Sequence, residues 1–198
     1  MTERRRRNLS AERQTEILEA FRRCIAGYGL EGSSTRRVAT EAGISQSLLI
    51  HHFGSRAGLV KALVRYVVDE YEEALAQGLE RASREDDAEV LLEYLFGRNY
   101  SEFSKRDDTM FPELEAAATR DVEIRRQLGE VYVSYRRMLV TFLRKTHPKA
   151  SAAECRRVAY GLMCLSEANQ TFRMMNLPGR HLRDALVCSR ALIDSLAR

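Results

Sequence analysis

The strongest constraint on this fold is a helical spacing of apolar residues that continues along nearly the whole chain. Apolar side chains recur three or four residues apart, as at Ile17, Phe21 and Ile25, and no segment alternates apolar and polar residues long enough to predict a strand. We therefore predict an all-α protein with about nine helices.

Glycines, prolines and capping residues divide this pattern into elements. Ser10 is expected to cap a long first helix that ends near Gly29, and two short helices follow within residues 33–53. The remaining helices are predicted over residues 55–81, 88–104, 111–119, 121–146, 151–176 and 180–197. A capping box formed by Ser151 and Glu154 is expected to open the second-last helix.

Positive charge is concentrated in the first third of the chain. Residues 1–60 contain ten Lys and Arg against six Asp and Glu, so this third carries the whole formal net charge of +4. A basic surface of this kind favours a polyanion such as DNA, because neutralised phosphates release their counterions. An incidental imbalance on a solvated surface explains four charges equally well, so charge alone leaves both interpretations open.

Cysteine spacing and hydropathy restrict the cellular setting. Cys24, Cys155, Cys164 and Cys188 form no CxxC pair and have no histidine at metal-ligand spacing, which favours reduced thiols in the core and no metal site. The arginines at 4–7 precede polar residues rather than an apolar stretch, and no run approaches the length of a membrane span. We therefore expect a cytoplasmic protein with no membrane contact and no cofactor.

Residues 33–53 have the pattern of a helix-turn-helix unit. Between the two short helices, Gly43 permits a positive φ angle, Ile44 fills the space between the helices, and Ser45 caps the second helix. In such a unit one helix braces the other, which enters the major groove of DNA. This pattern predicts a DNA-binding segment.

The same residues carry a resemblance to a known family. From about Glu12 to Val64 the chain resembles the DNA-binding head of the TetR repressor family. The most specific part of the match consists of Val38, Ala39, Glu41, Ala42, Gly43, Ile44, Ser45, His51, Phe53, Ser55, Arg56 and Leu59. The resemblance implies a DNA-binding domain over residues 1–60 and a larger helical ligand-binding and dimerisation domain over residues 61–198.

The family pattern also implies which residues contact DNA. Gln46, Ser47 and His51 are candidates for base edges or nearby phosphates, and Gln46 is the best direct contact because a carboxamide pairs bidentately with adenine. The expected phosphate contacts are Ser34, Thr35, Arg36, Ser45, His52 and Arg56. The arginines at 4–7 form either an additional arm on DNA or a solubilising tail.

One position departs from the family pattern. Ile50 stands where the family usually has a tyrosine that contacts a phosphate. An imidazole N–H of His51 or His52 is an alternative donor for the same role. The phosphate contacts at this end of the helix therefore stay open.

The second part of the chain has no motif of its own, so its expectations follow from the resemblance. Dimer contacts are expected in the last two helices, from Val158, Leu162, Leu165, Leu182, Leu186 and Ile193. An effector pocket is expected among aromatic and polar side chains, namely Tyr100, Phe103, Tyr132, Tyr135, Glu167, Asn169 and Gln170. Packing in the core of a single chain is the alternative for both sets.

These features predict a DNA-binding transcriptional regulator, specifically a ligand-responsive repressor that binds a palindromic operator as a homodimer. Its expected partners are double-stranded operator DNA, a small-molecule effector and a second copy of the chain. An enzyme is not predicted, because no nucleophile with its base and no pair of carboxylates occurs at a convincing spacing. The alternative is a helical protein-interaction adaptor without sequence-specific DNA binding.

Overall fold

Helices form every regular element in the described part of the chain. The computed structural model describes residues 3–85, 88–96 and 110–197, and within these ranges it contains nine α-helices, a short 3₁₀ helix and no strand. The α-helices are α1 (Glu3–Gly32), α2 (Thr35–Glu41), α3 (Gln46–Phe53), α4 (Arg56–Glu85), α5 (Ala88–Phe96), α6 (Met110–Ala118), α7 (Val122–Thr146), α8 (Ala152–Met174) and α9 (His181–Asp194). The 3₁₀ helix is Ser195–Ala197. The prediction of an all-α protein is confirmed.

The first helix begins earlier than predicted and is interrupted where predicted. α1 starts at Glu3, so Ser10 lies inside the helix, and the prediction that Ser10 caps it is wrong. Gly29 has a φ of 68° and a ψ of 170°, outside the helical region. Glycine adopts this positive φ easily because it has no Cβ. The backbone of residues 4–7 belongs to α1, while the side chains expected to form an arm lie outside the described part.

The chain divides into two compact units. Unit 1 consists of Met1–Glu70 and Asp107–Gly129, and unit 2 consists of Tyr71–Arg106 and Glu130–Arg198. The long helices α4 and α7 each contribute residues to both units. The helix α6, which is distant in sequence from the N-terminal helices, belongs with them in unit 1.

The core of unit 1 is built mainly from α1 and α4. Ile17 and Phe21 of α1 and Leu59 and Leu63 of α4 are fully buried, and Leu49 of α3 is buried as well. Burying one large apolar side chain contributes about 1.5–3 kcal/mol. Leu49 therefore anchors the short helix α3, which lies over a core that the longer helices supply.

The core of unit 2 brings together side chains of α5, α7, α8 and α9, including Leu95, Leu139 and Leu162. At the start of α8, the Ser151 hydroxyl accepts a hydrogen bond from the Glu154 amide at 3.2 Å, and the Glu154 carboxylate accepts one from the Ser151 amide at 2.8 Å. The predicted capping box is therefore confirmed.

The cysteines are only partly core residues. Cys24 and Cys155 are buried, whereas Cys164 and Cys188 are exposed, so the prediction that all four lie in the core is wrong for the last two. Helical spacing predicts which side of a helix is buried, but it does not tell whether a small residue at the edge of that side is buried or exposed. None of the described helices combines the length and the apolar character that a membrane span requires.

Candidate nucleic-acid interface

The predicted helix-turn-helix unit is formed by α2 and α3, and each helix has a serine cap. The Ser34 hydroxyl accepts from the Arg37 amide at 3.3 Å, and the Ser45 hydroxyl accepts from the Leu48 amide at 3.2 Å. Gly43, in the turn between them, has a φ of 65°. The caps satisfy backbone donors that helix starts leave without partners, so both helices begin at defined residues.

α3 has one buried side and one accessible side. Leu49 is packed inward, while Ser45, Gln46, Ser47 and His51 are exposed. Ser47 and His51 are four residues apart and share one side of the helix. Ser45 and Gln46 lie at its N-terminal end, where the Ser45 and Ser47 hydroxyls are 3.0 Å apart. All four are predicted DNA contacts, and the structure leaves all four side chains exposed.

Gln46 is linked to the preceding helix. Its Nε2 donates a hydrogen bond to the Thr35 hydroxyl at 3.0 Å. This bond uses one of the two amide hydrogens and leaves the other hydrogen and the oxygen for a base. Two predicted contact residues are thus joined across the turn, and the carboxamide is oriented before DNA arrives.

Arg37 is a residue that the sequence reasoning missed. Its guanidinium carbon lies 4.0 Å from the centre of the Tyr28 ring, and its Nη1 donates to the Gly32 carbonyl. A cation over an aromatic ring contributes about 0.5–1 kcal/mol at an exposed site. Because this contact crosses the break at Gly29, the spacing of residues in α1 did not indicate it. Its neighbour Arg36, a predicted phosphate contact, is exposed.

Arg56 is engaged within the chain. Its Nη2 donates to the Leu30 carbonyl at 2.7 Å and lies 3.6 Å from a Glu31 carboxylate oxygen. These bonds tie the first turn of α4 to the end of α1. A guanidinium has five N–H donors, so the predicted phosphate contact requires the remaining donors. That contact stays a prediction.

The two adjacent histidines differ in exposure. His51 is exposed and His52 is half-buried, and their ring centres are 5.8 Å apart at an angle of 66° between the planes. The isoleucine at position 50 is half-buried and has no polar group for a phosphate. Across the residues that the structure describes, no group of three or more His, Cys, Asp and Glu side chains is arranged to hold a metal ion.

A buried ion-pair network joins α1 to α4 inside unit 1. The Arg22 side chain is 8% exposed, and its Nη1 lies 2.8 Å from carboxylate oxygens of both Glu19 and Glu70. The Tyr66 hydroxyl donates to Glu19 at 2.8 Å. Burial, and then the hydrogen bond to Glu19, raise the pKa of Tyr66 well above its usual range. The phenol therefore stays protonated and acts as a donor, which fixes the first half of α4 against α1.

α6 contacts α1 at the point where α1 is interrupted. The Glu113 carboxylate accepts a hydrogen bond from the Leu30 amide at 2.9 Å. Phe111 and Leu114 of the same helix are buried. The contact joins residues 83 positions apart in sequence, so no local pattern predicts it.

Part of the predicted effector set lies inside unit 2. Tyr135 is buried, and its hydroxyl lies 3.3 Å from the Ser166 hydroxyl. Asn169 is 4% exposed, and its Oδ1 has no hydrogen-bond partner among the described residues. The other predicted residues in the described part, Tyr132, Glu167 and Gln170, are half-buried. Tyr100 and Phe103 lie outside the described residues.

The predicted dimer residues separate into two groups. Val158, Leu162 and Ile193 are buried in the core of unit 2, so the chain itself encloses side chains that were expected to contact a partner. Helical periodicity identifies a buried side but not the molecule that buries it. Leu165 and Leu186 are half-buried, and Leu182 is exposed. The apolar side chains of α8, α9 and the turn between them that remain exposed include Tyr160, Phe172, Met174, Met175, Leu177 and Val187.

Comparisons with known proteins match the helix-turn-helix residues. A family model described as bacterial regulatory proteins of the tetR family matches residues 17–63. The HTH-type transcriptional repressor AcnR of Corynebacterium glutamicum is 46% identical over 50 residues, which are 25% of this chain and 27% of that protein. The HTH-type transcriptional regulator BetI of Escherichia coli is 24% identical over 154 residues, or 77% of each protein. The match to AcnR spans about a quarter of that repressor's length.

Solved structures share the fold over most of the chain. A TetR transcription regulator from Haloarcula marismortui has a TM-score of 0.77 over 93% of this chain and 98% of that chain, at 16% identity. A transcriptional regulator from Rhodococcus has a TM-score of 0.72 over 91% of this chain and 95% of that chain, at 20% identity. The family model covers the helix-turn-helix residues, and the shared fold extends through the helices that follow. Over residues 17–63 the chain therefore matches the tetR family of bacterial regulatory proteins, and over most of its length it shares the fold of solved TetR regulators.

Proposed function

We propose that the chain is a transcriptional repressor that binds a palindromic DNA operator as a homodimer and responds to a small-molecule effector. The observation that carries this proposal is the exposed polar side of α3, with Gln46 oriented by Thr35 and the helix anchored by Leu49. A helix with this arrangement fits the major groove of DNA. The matched family model is described as bacterial regulatory proteins, and the relative AcnR as a transcriptional repressor.

Gln46 is the proposed base contact, and Arg36 with the serine caps are the proposed phosphate contacts. A bidentate carboxamide–adenine pair discriminates against other bases by about 1–3 kcal/mol. Phosphate contacts fix the register of the protein but carry no sequence information. Arg37, held by Tyr28, positions the start of α2 next to Ser34.

A second copy of the chain is the proposed partner of α8 and α9. The exposed apolar side chains Tyr160, Val187 and Leu182 support this assignment, because exposed apolar clusters on a monomer are unfavourable in water. Two-fold symmetry would place two α3 helices at successive major grooves, about 34–36 Å apart along one side of the duplex. The operator would then be a palindrome.

An effector pocket in unit 2 is supported by the buried polar groups of Tyr135, Ser166 and Asn169. A buried carbonyl oxygen without a hydrogen-bond partner costs about 1–3 kcal/mol. A ligand that donates to Asn169 Oδ1 would recover this cost, so the amide is the proposed recognition group. Core packing explains why the aromatic ring of Tyr135 is buried, but it does not explain why the amide of Asn169 is buried.

The contact between Glu113 and Leu30 is the proposed connection from the second part of the chain to the DNA-binding helices. α6 precedes α7, which contributes residues to unit 2. Through Glu113, α6 hydrogen-bonds to the amide of Leu30 in α1, and the carbonyl of the same residue accepts a hydrogen bond from Arg56. In this mechanism the effector favours a second arrangement of these helices that changes the spacing of the two α3 helices. A coupling energy of about 1.4 kcal/mol changes DNA affinity tenfold.

The test is binding of the purified chain to the duplex upstream of its own gene, compared with random duplex of equal length. We expect a clear preference, a dimer in light scattering, and a slope of log affinity against log salt near −0.9 for each neutralised phosphate. Equal affinity for both duplexes would contradict the repressor proposal and favour the adaptor.

A further inference from the structure

Residues 61–198 have no net charge, and this balance conceals a basic segment in unit 2. Residues 61–130 contain ten Lys and Arg against eighteen Asp and Glu, a net charge of −8. Residues 131–157 contain seven Lys and Arg against one Glu, a net charge of +6. The end of α7 and the start of α8 therefore carry a larger positive excess than the helix-turn-helix region.

These charges surround a groove. It lies between α7 and α8, has a volume of about 550 Å³, and is lined by the cations Arg136, Arg137, Arg144, Lys145 and Arg156. The four cations of α7 form two adjacent pairs about two helical turns apart, and Arg137 and Arg144, seven residues apart, share one side of the helix. No carboxylate lines the groove, and within the described residues Arg136, Arg144 and Arg156 have no ion-pair partner.

Apolar side chains also line this groove. Val133 and Val140 line it together with Thr141, and Val133 is 57% exposed. The Thr141 hydroxyl donates to the Arg137 carbonyl at 3.0 Å. The groove thus combines several cations with a small apolar surface.

Stabilisation of the α7 dipole explains only part of the cluster. Arg144 and Lys145 lie in the last turn of α7, where cations interact favourably with the helix C-terminus. Arg136 and Arg137 lie two turns earlier, and Arg156 belongs to another helix. Arg136, Arg144 and Arg156, which have no ion-pair partner within the described residues, also repel one another, and a bound anion would relieve this repulsion.

We propose that this groove binds a soluble small molecule with two or more phosphate groups. Guanidinium groups match phosphate oxygens bidentately, and four of the five cations are arginines. The volume lies within the range of about 300–1,000 Å³ that is common for small-molecule sites. This site goes beyond the proposed function, because it uses neither the helix-turn-helix residues nor the buried polar groups at Asn169.

The test uses inorganic tripolyphosphate as the probe and isothermal titration calorimetry on the full-length protein. We expect saturable binding with one site per chain. Arg156→Gln should weaken it by about fivefold or more, and Arg144→Gln by a similar factor. The matched control is Arg157→Gln, because Arg157 neighbours Arg156 on α8, is exposed and does not line the groove; its effect should stay below about twofold. Circular dichroism checks that each variant is folded.

Three outcomes would overturn the proposal. Equal losses in Arg156→Gln and Arg157→Gln would mean diffuse attraction to positive charge and no defined site. If Arg36→Gln weakened tripolyphosphate binding and Arg156→Gln did not, the anion would be assigned to the helix-turn-helix. The third outcome is binding of anionic vesicles or random duplex that depends on Arg144 and Arg156, with no binding of tripolyphosphate. This result would assign the surface to a membrane or to nucleic acid.

Discussion

Replacement of Glu113 by alanine is expected to loosen the contact between α6 and α1. The Glu113 carboxylate accepts from the Leu30 amide at 2.9 Å, in a half-buried position beside the interrupted part of α1. An alanine at Gly29 would place its Cβ 3.2 Å from Glu113 Oε1, which shows how closely the carboxylate approaches the backbone. The substitution removes the acceptor and leaves a backbone donor without its partner.

The size of the effect follows from the type of bond. Hydrogen bonds to charged groups contribute about 1.5–3 kcal/mol, and partial exposure of Glu113 places it near the lower end. For a chain of this length, each kcal/mol shifts the melting temperature by about 2–4 °C. We therefore expect Glu113→Ala to lower the free energy of unfolding by about 1–2 kcal/mol and Tm by about 2–8 °C.

Two measurements check this prediction. Thermal unfolding gives the global change, and amide hydrogen exchange by NMR gives the local one. Exchange at Leu30 should accelerate about tenfold for each 1.4 kcal/mol if this amide exchanges by local opening. Glu113→Gln keeps a carbonyl acceptor and should therefore lose less stability than Glu113→Ala. Glu115→Ala, at an exposed position of the same helix, should leave exchange at Leu30 unchanged. If Glu113→Ala and Glu115→Ala had the same effect on Leu30 exchange, the reasoning would be refuted.

Three further predictions concern DNA, effector and pH. Gln46→Ala should change base preference at one operator position by about 1–3 kcal/mol, whereas Arg36→Ala should weaken all duplexes alike; fluorescence anisotropy with single-base operator variants measures both, and the opposite pattern would contradict the assignment. Asn169→Leu should leave the unfolding free energy unchanged or raise it, because it removes a buried oxygen without a partner, and should abolish release of DNA by the effector; a full effector response in this variant would exclude the amide as the recognition group. The hydrogen bond to Arg190 lowers the pKa of Glu89, so the pair stabilises the fold above the usual glutamate pKa and loses this contribution as the pH falls through the lowered value. Arg190→Gln should therefore lower the free energy of unfolding slightly at pH 7 and not at all in strong acid, as measured by urea unfolding across pH; a loss independent of pH would refute the ion pair as its source.

Features encoded by neighbouring residues could be predicted from the sequence. The helix-turn-helix depends on Gly43 and on two serine caps, and the start of α8 depends on Ser151 and Glu154. Each involves residues at most a few positions apart. The prediction that Ser10 caps α1 is wrong for a local reason as well. Good helix formers such as Glu and Arg precede Ser10, and they extend α1 to its observed start.

Contacts between distant residues could not be predicted in the same way. Glu113 meets Leu30, and Arg22 meets Glu70, only because helices that are separate in sequence pack together. Periodicity predicted that Val158 and Ile193 are buried, but it does not distinguish burial within one chain from burial in a dimer. A net charge likewise conceals opposite charges on successive segments, as in residues 61–157.

These missed contacts bear directly on how a regulator of this kind would work. The residues that contact DNA can be predicted from a short motif, but a response to an effector requires an energetic connection to that motif. Glu113 and Arg56 converge on the backbone of Leu30, the first through its amide and the second through its carbonyl. One residue of α1 therefore holds both the start of α4 and the helix α6. A change of about 1–2 kcal/mol at such a junction alters DNA affinity by roughly 5- to 30-fold, which is the size that a switch needs. If the junction carries the effector response, Glu113→Ala should reduce the ratio of DNA affinities with and without effector, and Gln46→Ala should leave that ratio unchanged while it changes base preference.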